Sequence, residues 1–110
     1  MDVFEAVAEP TRREVLNLLA ASERSAGELV AAFPGLTQPA VSRHLRILRE
    51  SQLVSVREDG TRRLYSLKPE GLQELDRWLE TYRRFWSDRL DGLERHLDAK
   101  TNREREKEVP

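Results

Sequence analysis

The side chains with the clearest chemical potential lie in one segment, residues 37–49, where hydrogen-bonding groups and arginines recur at helical spacing. With 100° of rotation per residue, the aliphatic side chains of this segment form one stripe, and Ser42, Arg43 and Arg46 fall on the opposite side. Arginine pairs with the O6 and N7 atoms of guanine, and glutamine pairs with adenine. The segment therefore has the composition of a helix that reads the DNA major groove, with Gln38 near its outward N-terminal end.

Two helices joined by a glycine-containing turn are predicted to carry this segment. Ser25–Glu28 has capping-box spacing and opens the first of them, and Pro34-Gly35 ends it. Thr37 is a good N-cap for the second, which is predicted to run to about Ser51. The same box spacing at Thr11–Glu14 predicts that an earlier helix begins at Thr11. A helix pair with a tight turn is the helix-turn-helix arrangement.

A β-hairpin is predicted directly after the helix pair. The β-prone runs 53–57 and 62–67 flank Asp59-Gly60, a strong signal for a two-residue loop. That loop places Arg57 opposite Arg62 near the tip. A hairpin in this position is the wing of a winged helix, and its tip can reach phosphates or the minor groove. The predicted fold class is therefore mainly α with a small β-hairpin, a winged helix-turn-helix.

Positive charge is concentrated in these elements. Residues 37–68 hold seven basic and three acidic side chains (+4), and the rest of the chain holds 12 basic and 17 acidic ones (−5). A local basic face steers a protein toward phosphate, and the alternative is an ordinary solvated surface. We expect Arg43 to contact a base and Arg46 a phosphate, and we favour Arg62 over Arg63 at the wing. The predicted DNA contacts are Thr37, Gln38, Ser42, Arg43, Arg46, Arg62 and Arg63.

A long amphipathic helix is predicted from Pro69 to about residue 98. About 29 residues rise about 43 Å, which is longer than the core of so small a domain can cover. The surplus apolar surface predicts pairing with a second copy, and the alternative is a helix folded back over the core. Residues 1–9 are predicted to form a short first helix. The predicted dimer contacts on the first and last helices are Val3, Phe4, Trp78, Tyr82, Phe85, Trp86, Leu90, Leu93 and Leu97.

Length and composition predict a single domain, residues 1–98, followed by a charged tail, residues 99–110, without an apolar face and therefore disordered. The chain has no cysteine, which excludes disulfides, thiolate metal sites and cysteine nucleophiles. We find no nucleophile–base pair or glycine-rich phosphate loop, so we expect neither an enzyme nor a cofactor. Apolar runs are short and the first residues are unlike a signal peptide, so we expect a cytoplasmic protein outside the membrane.

Four motifs carry a family resemblance: EPTRREVL at 9–16, LTQPAVSRHL at 36–45, Leu53-Val54, and DGTRRLYSL at 59–67. With them the chain resembles, over residues 2–98, the arsenic-repressor (ArsR) family of bacterial winged-helix regulators. The resemblance implies a homodimeric transcriptional repressor that pairs through its first and last helices. It also implies operator binding through the helix after Thr37 and through the wing.

The chain departs from that family in two places. Metal-sensing members carry cysteines, often on the helix that corresponds to residues 26–33, and the absence of thiols here excludes a thiolate sensor of arsenic, cadmium or lead. Glu9 replaces the aspartate that usually precedes the proline. Because glutamate caps a helix less well, we expect the helix start to rely on Thr11.

Other interpretations of particular residues stay open at this point. The winged helix could serve protein association without specific DNA readout. His96 and its acidic neighbours could bind a metal, and the aromatic residues of the last helix could line an organic-ligand pocket. His44 lies at the edge of the buried stripe and is interpreted as a structural histidine, with a phosphate contact as the alternative.

Overall fold

The computed structural model describes the backbone of residues 1–108 and the side chains of residues 1–98 and 100. The elements are α1 (Val3–Ala8), α2 (Pro10–Ala21), β1 (Arg24–Ser25), α3 (Ala26–Ala31), α4 (Gln38–Glu50), β2 (Val54–Asp59), β3 (Arg62–Leu67) and α5 (Pro69–Glu108). The predicted fold class, mainly helical with a β-hairpin, is confirmed. The chain divides into two compact units, residues 1–76 and the residues from Arg77 onward.

The core of the first unit is aliphatic and draws on its helices and its wing. Helix α4 buries Val41, Leu45 and Leu48, the stripe predicted from the sequence. Leu29 of α3 and Val15 of α2 pack into the same cluster. Each such side chain contributes about 1.5–3 kcal/mol through burial. The polar face of α4 is therefore held outward by what the opposite face buries.

Two of the predicted helix starts are confirmed. The Ser25 hydroxyl accepts from the Glu28 amide at 3.1 Å, and the Glu28 carboxylate accepts from the Ser25 amide at 3.3 Å, which completes a capping box. The Thr37 hydroxyl accepts from the amide of Ala40 at 3.2 Å. Both helices that form the helix-turn-helix therefore begin where the local sequence predicts.

The predicted start of α2 at Thr11 is wrong, because the helix begins at Pro10 with Glu9 as its N-cap. A Glu9 oxygen accepts from the Arg12 amide at 2.9 Å, so the longer side chain still reaches the first turn. Pro10 has no amide hydrogen to leave unpaired at this position. Desolvation raises the pKa of Glu9, but the hydrogen bonds from the Arg12 amide and the Thr11 hydroxyl together hold that pKa below its usual value.

Helix α4 ends in a chain reversal that the local sequence pattern does not predict. Gln52 has a φ of 65°, and its amide donates to the Arg49 carbonyl while the Leu53 amide donates to the Leu48 carbonyl. This is a Schellman motif, with a non-glycine residue in the left-handed region. The reversal brings the Gln52 carbonyl to the Gly71 amide at 3.0 Å, and a Cβ at Gly71 would lie 2.7 Å from that oxygen. Glycine is therefore required where α5 begins.

The hairpin is present, but its predicted register is wrong. Asp59 pairs with Arg62, so the loop is Gly60-Thr61, and Arg57 lies opposite Leu64 instead of opposite Arg62. Gly60 has a φ of 64° and takes the first loop position, where a glycine is favoured in Gly-X turns. The glycine therefore displaces the loop by one residue and leaves Asp59 in the strand.

A third strand completes an antiparallel sheet in the order β1-β3-β2. Strand β1 pairs Arg24 with Tyr65 and Ser25 with Leu64. Two residues are too few to show an alternating pattern in the sequence. Strand β1 is therefore recognised only from its pairing with β3.

The second unit is the continuation of α5. The helix runs to Glu108, beyond its predicted end near residue 98. The side chains of residues 99 and 101–110 and the conformation of residues 109–110 lie outside the described part of the chain. Trp78 and Tyr82 meet edge to face at 5.4 Å, and the Arg89 guanidinium lies 4.2 Å from the Phe85 ring centroid. Among the described residues, no helix has an apolar stretch long enough to span a bilayer.

The predicted dimer contacts differ in exposure. Those on α5 are exposed: Trp78, Tyr82, Phe85, Trp86, Leu90, Leu93 and Leu97. On α1, Phe4 is half-buried. Val3 is only 3% exposed because it packs into the core of its own chain, so its predicted place at a dimer interface needs correction.

Candidate nucleic-acid interface

Residues of helices α3 and α4 and of strand β3 line an open cleft of about 890 Å³ on the first unit. Five of the predicted DNA contacts line it: Gln38, Ser42, Arg43, Arg46 and Arg63. The cleft floor is partly apolar because Leu45 and Tyr65 anchor α4 and β3 in the core beneath it. The residues that helical spacing groups together therefore meet residues of the wing at one surface.

The charged side chains that line this cleft are four arginines: Arg43, Arg46, Arg49 and Arg63. All four are exposed, and none of them forms an ion pair within the described part of the chain. Unpaired guanidinium groups create a positive potential that attracts a polyanion and replaces its counterions. The cleft therefore has the electrostatics of a phosphate-binding surface.

Arg49 is the member of this group that is missing from the predicted DNA contacts. It follows Arg43 and Arg46 at a spacing of three residues, which keeps the three side chains along one side of α4. That spacing is the signal that could have identified it. Its place in the last turn of the helix, far from the N-terminal end expected to meet base edges, suits a phosphate contact better than a base contact.

Thr37 and Arg62, the other two predicted contacts, do not line the cleft. The hydroxyl of Thr37 is occupied in capping α4. The Arg62 guanidinium donates to Glu28 at 2.8 Å. Because side chains alternate along a strand, Arg63 shares a face with Tyr65 and Arg62 lies on the other face. The structure thus places Arg63 in the cleft, although Arg62 was the favoured of the two from the sequence.

A second ion pair lies on the same side of the wing as Arg62. Arg57 donates to both carboxylate oxygens of Glu23, at 2.7 and 3.1 Å. These hydrogen bonds lower the pKa of Glu23 and raise that of Arg57. The pKa of Glu28 is lowered by the hydrogen bonds from the Ser25 amide and hydroxyl and by the charge of Arg62. Both carboxylates are therefore ionised partners of the wing arginines.

His44 makes the internal contacts expected of a structural histidine. Its Nδ1 atom lies 3.3 Å from Nη1 of Arg12 and 3.9 Å from a Glu9 oxygen. Within the described part of the chain, no three histidine, aspartate or glutamate residues come together as a metal site, and this includes His96 with its neighbours. The structure thus offers no geometric support for the metal-binding interpretation of the last helix.

Comparison with known proteins places this geometry in a family. The pattern described as "Bacterial regulatory protein, arsR family" matches residues 9–56. The transcriptional regulator Rv2034 of Mycobacterium tuberculosis is 40% identical over 96 residues, which are 87% of this chain and 86% of that protein. The transcriptional repressor SdpR of Bacillus subtilis is 35% identical over 78 residues, which are 71% of this chain and 86% of SdpR.

A solved structure shares both fold and sequence with the chain. It is the crystal structure titled a possible transcriptional regulator for arsenical resistance, with a TM-score of 0.70 and 40% identity over 84% of this chain and 95% of its own. The match extends beyond the helix-turn-helix through the wing. The protein is therefore a member of the arsR family of bacterial regulatory proteins.

Proposed function

We propose that the protein is a homodimeric transcriptional repressor that binds double-stranded DNA in a sequence-specific manner in the cytoplasm. The observation that carries this proposal is the cleft of α4 and β3, where four exposed arginines lack internal ion pairs in the described part of the chain. The relatives support it, since SdpR is named a repressor and Rv2034 a transcriptional regulator.

In this proposal α4 enters the major groove with its N-terminal half. Arg43 contacts a guanine edge, and Gln38 and Ser42 contact neighbouring base edges or phosphates. Arg46, Arg49 and Arg63 contact phosphates on either side of the groove, which adds affinity without sequence information. Thr37 caps the helix and approaches a phosphate from its exposed position. Arg62 has the weakest support because it is paired with Glu28.

The second copy is proposed to bind through the apolar face of α5. Seven large apolar side chains between Trp78 and Leu97 are exposed, which is more contiguous apolar surface than a monomer usually leaves in water. A two-fold pair would present two α4 helices to half-sites separated by one helical turn, about 34–36 Å. Dimerisation would thus set the spacing of the operator.

Selection of bound sequences from random DNA at physiological salt tests the readout. We expect a two-fold symmetric consensus with half-site centres about 10–10.5 base pairs, or a multiple of that distance, apart. Equal affinity for selected and scrambled sequences would reject specific readout. It would favour the alternative of a winged helix that serves only protein association.

Sedimentation equilibrium tests the dimer independently of DNA. Phe85→Asp introduces a charge into the exposed apolar face, and we expect it to convert the dimer to a monomer. Ser87→Asp adds the same charge on the opposite side of the helix, about 200° of rotation from Phe85, and should leave the dimer intact. A monomeric parent protein, or equal effects of the two substitutions, would reject the proposed interface.

A further inference from the structure

Arg12 is the most buried charged side chain among the described residues, with 7% of its surface exposed. Its Nε donates to the Ala6 carbonyl at 2.7 Å and its Nη2 donates to the Glu5 carbonyl at 3.2 Å. Its Nη1 lies 3.3 Å from Nδ1 of His44. One guanidinium on α2 therefore contacts both α1 and the proposed reading helix α4.

The contacts to α1 supply hydrogen-bond donors to carbonyl groups at its C-terminal end. The last four carbonyls of an α-helix have no partner within the helix. In α1 these belong to residues 5–8, and Arg12 takes the first two. Arg13 donates through Nη1 to the other two, at 2.9 and 3.2 Å. The adjacent arginines of the EPTRR motif thus act together as the C-terminal cap of α1.

The contact to His44 fixes the state of its ring. A guanidinium is a donor only, so the Nδ1 atom that faces it must accept and carries no hydrogen. His44 is then neutral in this arrangement, with its proton on Nε2. Glu9 also lies near Nδ1, but the separation of 3.9 Å is too long for a hydrogen bond. The hydrogen bond from Arg12 is therefore the directional contact available to this face of the ring.

Directionality matters because the rest of the α4 packing is aliphatic. Apolar burial turns the stripe toward the core, but because it is non-directional it tolerates small rotations about the helix axis. A hydrogen bond at the flank of the apolar stripe restrains that rotation. His44 directly precedes Leu45 of the stripe and directly follows Arg43, which is proposed to meet a base. A small rotation at His44 would move the Arg43 guanidinium out of register with a base edge.

We propose that Arg12 is a positioning residue for DNA recognition. Because it binds His44 while it caps α1, it sets the rotation of α4 and hence the direction in which the Arg43 side chain points. The inference rests on the proposed function, since it concerns how the same surface is oriented. A lysine at position 12 would keep the charge but not the planar fork that engages both helices. The role therefore requires arginine and an acceptor at the Nδ1 position of residue 44.

The test compares two substitutions of His44 that differ in hydrogen bonding. His44→Asn keeps an acceptor close to the Nδ1 position, whereas His44→Phe keeps a ring and removes the acceptor. Affinity for the selected operator is measured by fluorescence anisotropy on variants shown by circular dichroism to be folded. We expect His44→Phe to bind about tenfold more weakly and His44→Asn to stay within about threefold of the parent protein.

Arg12→Lys should weaken binding by a similar factor, and the double variant with His44→Phe should lose little more than either single variant, because both remove one link. Full affinity of His44→Phe, equal losses in His44→Asn and His44→Phe, or additive losses in the double variant would overturn the proposal. Failure of the parent protein to prefer any sequence would instead reject the proposed function.

A spectroscopic test needs neither DNA nor a destabilising substitution. The ¹⁵N chemical shifts of the two imidazoles are recorded in the parent protein at mildly alkaline pH, and His96→Gln assigns the second histidine. We expect His44 as the neutral Nε2–H form, with an unprotonated Nδ1. A proton on Nδ1 would exclude the hydrogen bond from Arg12 and overturn the inference.

Discussion

The surface formed by α4 and the wing carries arginines on two sides, and only on one of them are the arginines paired with acids. On the cleft side, Arg43, Arg46, Arg49 and Arg63 are exposed and form no ion pair within the described residues. On the other side, Arg57 and Arg62 are bound by Glu23 and Glu28. The positive charge available to a ligand therefore depends on where the carboxylates lie.

The ion pairs on the paired side affect the charge of the surface more than they affect stability. Exposed salt bridges add little to stability because solvent screens them. Their larger effect is to neutralise two arginines on the face away from the cleft, so that the positive potential is concentrated on one surface. A chain with a net charge of −1 can in this way present a strongly basic cleft.

The largest expected effect is that of Arg43→Ala on sequence preference. Loss of a bidentate contact with guanine costs about 1–3 kcal/mol of discrimination. We expect preference to relax at one position in each half-site, measured by anisotropy with operators that carry single-base changes. Arg46→Ala is the matched control on the same face and should weaken all sequences alike. Unchanged preference in the Arg43 variant would show that the cleft side does not read bases through this residue.

A smaller effect separates the two neighbouring wing arginines. Arg63→Ala should reduce the slope of log affinity against log salt by about 0.9, as expected for one lost phosphate contact. Arg62→Ala, one residue away but paired with Glu28, should leave that slope nearly unchanged. Equal changes in the two variants would remove the distinction between the faces.

The paired face can also be converted toward the unpaired state. Glu28→Gln keeps a capping-box side chain at α3 but removes the charge that holds Arg62. Because one negative charge disappears and one guanidinium is released, we expect DNA affinity to rise by about twofold at low salt. Glu23→Gln should act in the same direction through Arg57. Weaker binding in both variants would mean that the ion pairs hold the wing in its DNA-binding position.

The smallest expected effect concerns acid stability. The pKa values of Glu23 and Glu28 lie below their usual 4.5 in the folded protein, chiefly because of hydrogen bonds from Arg57 and from Ser25, respectively. The folded state then binds fewer protons than the unfolded state in acid, so this stabilisation is present above about pH 4.5 and is lost as pH falls through the folded pKa values.

Urea unfolding at a series of pH values measures this contribution. In Glu23→Gln the free energy of unfolding should fall less steeply below pH 4.5 than in the parent protein. An equally steep fall in the variant would show that the Glu23–Arg57 pair forms too rarely in solution to perturb the titration.

Helix α4 could be predicted because its signals are local. Its cap at Thr37 and its buried stripe of Val41, Leu45 and Leu48 lie within one stretch of chain and follow from helical geometry. The same geometry predicted that Arg43 and Arg46 lie on the exposed face, as they do. The capping box of α3 was predictable for the same reason.

Other features could not be predicted, in one case because the partners are distant in the sequence and in two cases because local signals compete. The ion pairs of the wing arginines could not be predicted from the sequence, because Arg57 and Arg62 find their acids 34 residues earlier in the chain. Displacement of the loop to Gly60-Thr61 set the strand register. Glu9 and Thr11 compete to cap the start of α2. Glu9 is the cap because its carboxylate accepts from the Arg12 amide, a hydrogen bond that the capping-box pattern at Thr11 does not include.

By itself the sequence determined a basic amphipathic helix in a winged-helix frame, because periodicity and capping act over a few neighbouring residues. Only the tertiary structure decided which arginines stay unpaired, which are neutralised, and that Arg12 is buried between α1 and His44. The physical reason is that an ion pair or a buried hydrogen bond depends on distances in space, which sequence spacing fixes only within a single helix or strand.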